Sequence, residues 1–195
     1  MKHVILAGTV ALTMAAAPAF AQQTTPANPG QHRDAAKSDA QKTGTVPASD
    51  RTFVMNVAKD GMAEVELGKV AAEKASSPDV KKFAQRMVDD HSKANDELKT
   101  LAQTKNTTLP ASVDPKHKAT IDRLSKLSGE AFDRAYMRDM VTDHQKAVAA
   151  FRAESKNGKD ADIKAWAGKT LPTLEEHLKM AQDANRAVVG TSGKK

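Results

Sequence analysis

What most constrains this chain is the spacing of its apolar residues. From about residue 50 onward they recur every three or four positions, and no stretch alternates apolar and polar residues as a half-buried strand would. The chain is therefore expected to be helical, and its punctuation marks the helix ends. Ser49 or Asp50 can cap a first helix running to about Ala75. Ser77-Pro78 sets a capping hydroxyl before a proline at the first helical position, where the missing N–H is not needed, and opens a second helix to about Lys105. Asp114-Pro115 repeats that signal for a short helix to Leu127. Ser128 caps a third long helix ending at Asn157-Gly158, and Asp160 caps a fourth ending near Gly190. Four long helices and one short connector predict an all-α fold, a four-helix bundle.

Two of the connections are tight. The middle one, 106–128, is long enough to run the length of the bundle as a single crossover between two helical hairpins. A plain up-down-up-down bundle with the short helix folded across one end satisfies the same lengths.

The regions flanking the bundle read differently. Lys2 and His3, the apolar stretch Val4 to Ala17 and the small-x-small site Ala19-Phe20-Ala21 form the pattern of a secretory signal peptide, residues 1–21, cleaved after Ala21. That apolar stretch is too short to span a bilayer, and no other segment approaches transmembrane length. A periplasmic protein is expected, with loose peripheral association with the cell envelope compatible with the pattern. Residues 22–50 are mostly Gln, Thr, Pro, Asn, Gly, Lys, Asp and Ala, with Val46 the only aliphatic β-branched residue, and cannot bury enough apolar area to offset their ordering entropy; they are expected to be a disordered linker. The domain then runs over 51–190, followed by a flexible tail at 191–195.

Composition removes several chemistries. The 195 residues contain no cysteine, so there is no disulfide scaffold, no thiolate zinc or iron–sulfur site and no cysteine nucleophile. Any metal must be held by nitrogen, oxygen or methionine sulfur. The 30 Lys and Arg are interspersed with 24 Asp and Glu, which predicts no nucleic-acid footprint. No Gly-rich phosphate loop, nucleophile elbow or HExxH motif occurs.

An internal repeat is more informative. Met87-Val88-Asp89-Asp90-His91-Ser92-Lys93-Ala94 and Met140-Val141-Thr142-Asp143-His144-Gln145-Lys146-Ala147 share the form M-V-x-D-H-x-K-A at an offset of 53 residues. Repeats of this kind suggest pseudo-symmetric helices about one axis. Projected at about 100° per residue, His91 falls in the apolar stripe with Met87 and Leu98, His144 with Met140 and Phe151, and His177 with Leu174 and Ala181. The first helix has no histidine, but Glu64 shares a face with Phe53, Val57 and Leu67. Each of the four lies within about two residues of the midpoint of its helix, or ~3 Å along the axis, so the four are expected to meet in one layer.

Glu64, His91, His144 and His177 are a sufficient ligand set for one divalent transition metal such as zinc, iron or manganese. Asp90, Asp143 and Glu176 each precede a histidine and point about 100° away, which suits hydrogen bonds to imidazoles on neighbouring helices. Rotating the helices to bring them in would make a dinuclear site. Met87, Met140 and Met180 lie one turn from a histidine; they read as core fillers, although His with Met suits copper. A metal-free Glu-His layer that fixes helix register is the competing reading, for a non-enzymatic envelope or stress-associated structural protein. Pro172 inside the fourth helix is expected to kink it between Trp166 and His177. His32 and His117 have no constellation around them.

At these residues the chain resembles a known bacterial family. The segments Gly61 to Gly68, Phe83 to His91, Ser128 to Asp133, Tyr136 to His144 and Leu171-Pro172 to His177 are similar to the domain of unknown function 4142 family, often labelled as outer-membrane proteins. The resemblance covers about 52–188 and implies a ferritin-like four-helix bundle with one crossover. It implies no established activity. The Glu-x-x-His pattern of ferritin-like di-iron proteins would need glutamate at 88 and 174, which are Val88 and Leu174. Ferroxidase or oxygenase chemistry is therefore not expected, and neither barrel strands nor a lipid-anchor cysteine support the outer-membrane label.

Overall fold

The computed structural model describes residues 45–190; the expected signal peptide, His32, most of the expected linker and the 191–195 tail lie outside the described residues. Five helices follow in order: α1 (Ala48–Lys74), α2 (Pro78–Thr104), α3 (Pro115–Ser125), α4 (Gly129–Asn157) and α5 (Ala161–Gly190). No strand occurs among the described residues.

The proline-led starts behave as their chemistry requires. Ser77 Oγ accepts the Val80 N–H at 3.5 Å, Asp114 Oδ1 accepts the His117 N–H at 3.0 Å, and Asp160 Oδ1 accepts those of Asp162 and Ile163 at 3.0 and 3.1 Å. Ser128 precedes α4 but makes no capping bond through its side chain; the turn is made by Gly129, at φ 60°. α5 continues through Pro172.

The first helix differs from expectation. Pro47, not Ser49 or Asp50, precedes α1, and Asp50 sits inside its first turn. Asp50 is fully buried and serves a different helix: its carboxylate accepts the N–H groups of Lys159 and Asp160 at 2.8 and 2.6 Å, just ahead of α5. Burial raises the Asp50 pKa, but these bonds, with that from Ser49, outweigh it and hold the carboxyl below its usual range. Val46 is also buried. The end of the expected linker therefore belongs to the bundle, because one apolar and one acidic side chain find partners that composition does not reveal.

Contacts at the two ends fix the topology. At one end, Asp133 in the first turns of α4 accepts the Ser76 N–H at 3.1 Å, the Ser77 N–H at 2.9 Å and the Ser76 hydroxyl at 2.6 Å, all in the α1–α2 turn. At the other, Lys105 beyond the end of α2 pairs with Asp160 at 2.9 Å and Asp162 at 2.5 Å, at the start of α5. α2 and α4 thus begin at the same end and run parallel. The connection between them must travel the length of the bundle, which is the crossover topology and not up-down-up-down. α3 lies in that connection against α1 and α4: His117 reaches Asp60 at 3.1 Å, and Arg123 pairs with Asp139.

α1 packs closely on α2. A Cβ at Gly68 would lie 2.8 Å from Val88 Cγ2 and 3.0 Å from the Ala84 carbonyl oxygen, so only glycine permits this approach. The core falls into two apolar clusters. One holds Leu67, Phe83, Met87, Phe132, Tyr136, Met140 and Ala181, and the other Val54, Leu98, Val148, Phe151, Trp166 and Leu174. On each long helix the interval between the two clusters contains one of Glu64, His91, His144 and His177.

Candidate metal centre

α2, α4 and α5 each bring one imidazole into that interval. The ring centroids of His91, His144 and His177 form a nearly equilateral triangle with sides of 5.6, 5.4 and 5.4 Å. One ring nitrogen from each lies within 4.8 Å of the others. His144 and His177 are 1% exposed and His91 is partly buried.

Partners fix the protonation of two rings. His144 Nδ1 lies 3.0 Å from the Met140 carbonyl oxygen, which only accepts, so Nδ1 carries the hydrogen and Nε2 the lone pair. His177 Nε2 lies 2.8 Å from Asp90 Oδ2, so Nε2 donates and Nδ1 holds the lone pair. The remaining nitrogens, His144 Nε2 and His177 Nδ1, are buried without a partner, and so is His91 Nε2.

Electrostatics keep the rings neutral. Burial, then the neighbouring His144 and His177, push the His91 pKa well down; burial and His177 push His144 down to about 4. Burial also lowers His177, against the opposing pull of Asp90. Asp90 is itself held below the usual carboxylate range: burial raises it, but hydrogen bonds from Arg86 and His177 prevail. The result is three uncharged donors with free lone pairs in an apolar interval, the form in which imidazole binds metal.

The fourth expected member is placed differently. Glu64 occupies the corresponding interval of α1 and is buried, but its carboxyl is not among the nitrogens grouped within 4.8 Å. Burial, then the charges of Asp143, Asp60 and Asp139, raise its pKa to about 8, so the carboxyl is neutral at pH 7, and Oε2 has no partner. Glu64 also acts on Tyr136, whose phenol is pushed well up, first by burial and then by this carboxyl. The Tyr136 hydroxyl is buried without a partner. Tyr136 lies two turns before His144 on the same face, a spacing visible in the sequence but not singled out there.

The three acidic neighbours separate. Asp90 meets an imidazole on the adjoining helix. Asp143 instead pairs with Lys146 at 3.1 Å, and Glu176 approaches Arg86 at 3.5 Å, both on the surface. Neither orients an imidazole, and the carboxylate-rich dinuclear arrangement does not form. Met87 and Met140 are fully buried in the first apolar cluster and Met180 packs at its edge. His117, set aside in the sequence, bridges Asp114 and Asp60 at 3.0 and 3.1 Å and ties the crossover to α1.

Solved structures share this fold. The chain is similar to a DUF305 fragment from Deinococcus radiodurans, with a TM-score of 0.64 and 15% identity over 73% of this chain and 98% of that one. It is similar to CopM in the Cu(II)-bound form, with a TM-score of 0.61 and 21% identity over 71% of this chain and 96% of that one. The Cu(I)-bound form of CopM gives 0.58 and 20% over 69% and 93%. No curated protein matches the chain in sequence. A family model matches residues 33–184, most of the chain and all of the histidine layer, and the protein belongs to the Domain of unknown function (DUF4142) family.

Proposed function

We propose that the bundle binds one transition-metal ion through His91, His144 and His177, and that it does so in the periplasm after removal of residues 1–21. The observation that carries this reading is that three neutral imidazoles bring one ring nitrogen each within 4.8 Å of the others, and that each of the three rings has a buried nitrogen without a partner. An unsatisfied buried polar atom costs about 1–3 kcal/mol, and a metal ion satisfies all three at once. Asp90 holds His177 in the required tautomer, as carboxylates behind metal-bound histidines do. Glu64 stays outside the donor set as a neutral carboxyl. The copper-bound forms of CopM, on a similar fold, add support.

The test is metal analysis of protein purified from the periplasm, followed by thermal melts with and without chelator. One equivalent of metal and a melting point that falls on chelation are expected, since an ion bound only to the folded state raises stability by mass action. A metal-free preparation whose melting point ignores zinc, iron, manganese and copper would overturn the reading.

A metal-free structural role has its own observation. The layer divides the apolar core in two, and the Asp90–His177 bond locks α2 to α5 at one register. The same melts separate the readings.

A further inference from the structure

We infer that the ion this triad selects is monovalent copper, held by three nitrogens, and that the site discriminates against zinc and divalent copper. The inference rests on the metal-binding reading above and adds oxidation state and coordination number to it.

Coordination number comes first. The imidazoles form a nearly equilateral triangle, with sides of 5.6, 5.4 and 5.4 Å between ring centroids. Monovalent copper, a soft closed-shell ion, is satisfied by three donors in a plane. Zinc completes a tetrahedron, and divalent copper takes a tetragonal set of four or more. A fourth donor suited to zinc or divalent copper would have to be a carboxylate or water, since the soft sulfurs of the nearby methionines favour monovalent copper. No Asp or Glu oxygen joins the group among the described residues. Above and below the layer the helices present Met87, Met140, Leu174 and Ala181, all buried and apolar, which offer water no anchor.

Charge points the same way. Neutral imidazoles bring no compensating charge, and the cost of taking an ion out of water grows with the square of its charge, so a divalent ion pays about four times what a monovalent one does. The carboxylate hydrogen-bonded to the triad, Asp90, acts through His177 and is already paired with Arg86, and Asp143, whose charge also acts on His144, is paired with Lys146. Glu176, which also lies near the Arg86 guanidinium, is exposed. The site is thus matched to an ion of charge +1. Unconstrained nitrogen sites prefer divalent copper to zinc and bind both, so the discrimination expected here is the mark of this geometry.

The test is competition on the whole mature chain, without oxygen. Monovalent copper is titrated against bathocuproine disulfonate, and zinc and divalent copper against nitrilotriacetate; silver(I) serves as a redox-inert substitute for monovalent copper. The expected result is one equivalent of monovalent copper bound at least about 100-fold more tightly than either divalent ion, with silver(I) competing for the same site. X-ray absorption should show three nitrogen neighbours. Substituting His91→Gln, the least buried of the three, should leave the helical circular dichroism intact and weaken monovalent copper binding by at least about 100-fold. Zinc or divalent copper bound as tightly as monovalent copper, or a four-coordinate absorption spectrum, overturns this inference and leaves metal binding by the triad standing. No binding of any of these ions overturns this inference, and metal binding by the triad falls with it if iron and manganese also leave the melting point unchanged.

Discussion

His177 Nε2 lies 2.8 Å from Asp90 Oδ2, a hydrogen bond between α5 and α2 at the level of the three imidazoles. Asp90 also accepts from Arg86 on its own helix. The bond does two things at once. It sets the His177 tautomer that leaves Nδ1 free, and it fixes where α5 sits along α2. The internal repeat would place a matching bond between Asp143 and a histidine on α1. α1 has no histidine and carries Glu64 in that interval, so Asp143 turns to Lys146 and its charge instead helps to keep Glu64 protonated. The asymmetry of the site, three imidazoles and one neutral carboxyl, follows from that one departure from the repeat.

Asp90→Asn should weaken metal binding by about 10- to 100-fold while leaving the helical content unchanged, because the amide oxygen still accepts from His177 but no longer supplies the charge that raises its basicity. Calorimetric titration of wild type and variant with monovalent copper or silver(I) checks this. Equal affinities would show that Asp90 serves only to neutralise Arg86.

Much of this was written in residue spacing. Ser77-Pro78 and Asp114-Pro115 fix two helix starts through local chemistry that needs no tertiary partner, and the M-V-x-D-H-x-K-A repeat points to His91 and His144. Equal distance from helix midpoints puts all four polar residues in one interval. What spacing does not encode is which neighbour a side chain meets. Asp90 and Asp143 hold equivalent places in the repeat, yet one faces a histidine and the other faces solvent. Asp50 looks like the cap of its own helix and instead serves the start of α5, 109 residues away, because the crossover brings those ends together. Pairings of this kind depend on helix rotation and topology, which no single-helix projection contains.

His144→Leu should abolish the stabilisation by metal while leaving metal-free protein as stable as wild type or more so, by roughly 1 kcal/mol. The wild-type ring keeps Nε2 buried without a partner, and a side chain of similar volume with no polar atom removes that cost. Melts of both proteins with chelator and with copper give the comparison. A variant that loses several kcal/mol without metal would show that the imidazole is satisfied in the metal-free fold.

Asp133→Ala should cost about 3 kcal/mol, because one carboxylate satisfies two backbone N–H groups and a hydroxyl of the α1–α2 turn, and all three lose their acceptor together. Metal stoichiometry should not change, since the turn lies at the end of the bundle away from the layer. Urea unfolding measures the first and metal analysis the second. Asp133→Asn, which retains an acceptor oxygen, should recover part of the loss.

Stability should peak near neutral pH, with the two flanks set by different residues. The three histidines have folded pKa values below 6.5, about 4 for His144, so between those limits the unfolded chain binds more protons and stability falls as pH falls. Glu64 has the opposite sign. Its folded value of about 8 against an unfolded 4.5 means the folded state holds the extra proton, so stability falls as pH rises from 4.5 to about 8. Each fully differential proton contributes a slope of about 1.4 kcal/mol per pH unit, so three histidines outweigh one glutamate below 6.5 and the glutamate dominates above it. In metal-free protein, Glu64→Gln should therefore flatten the decline between pH 6.5 and 8 and steepen the rise between pH 4.5 and 6.5, where the glutamate offsets one of the histidines. Urea unfolding at a series of pH values reads both limbs, and an alkaline decline that survives in Glu64→Gln would place the responsible proton on another group.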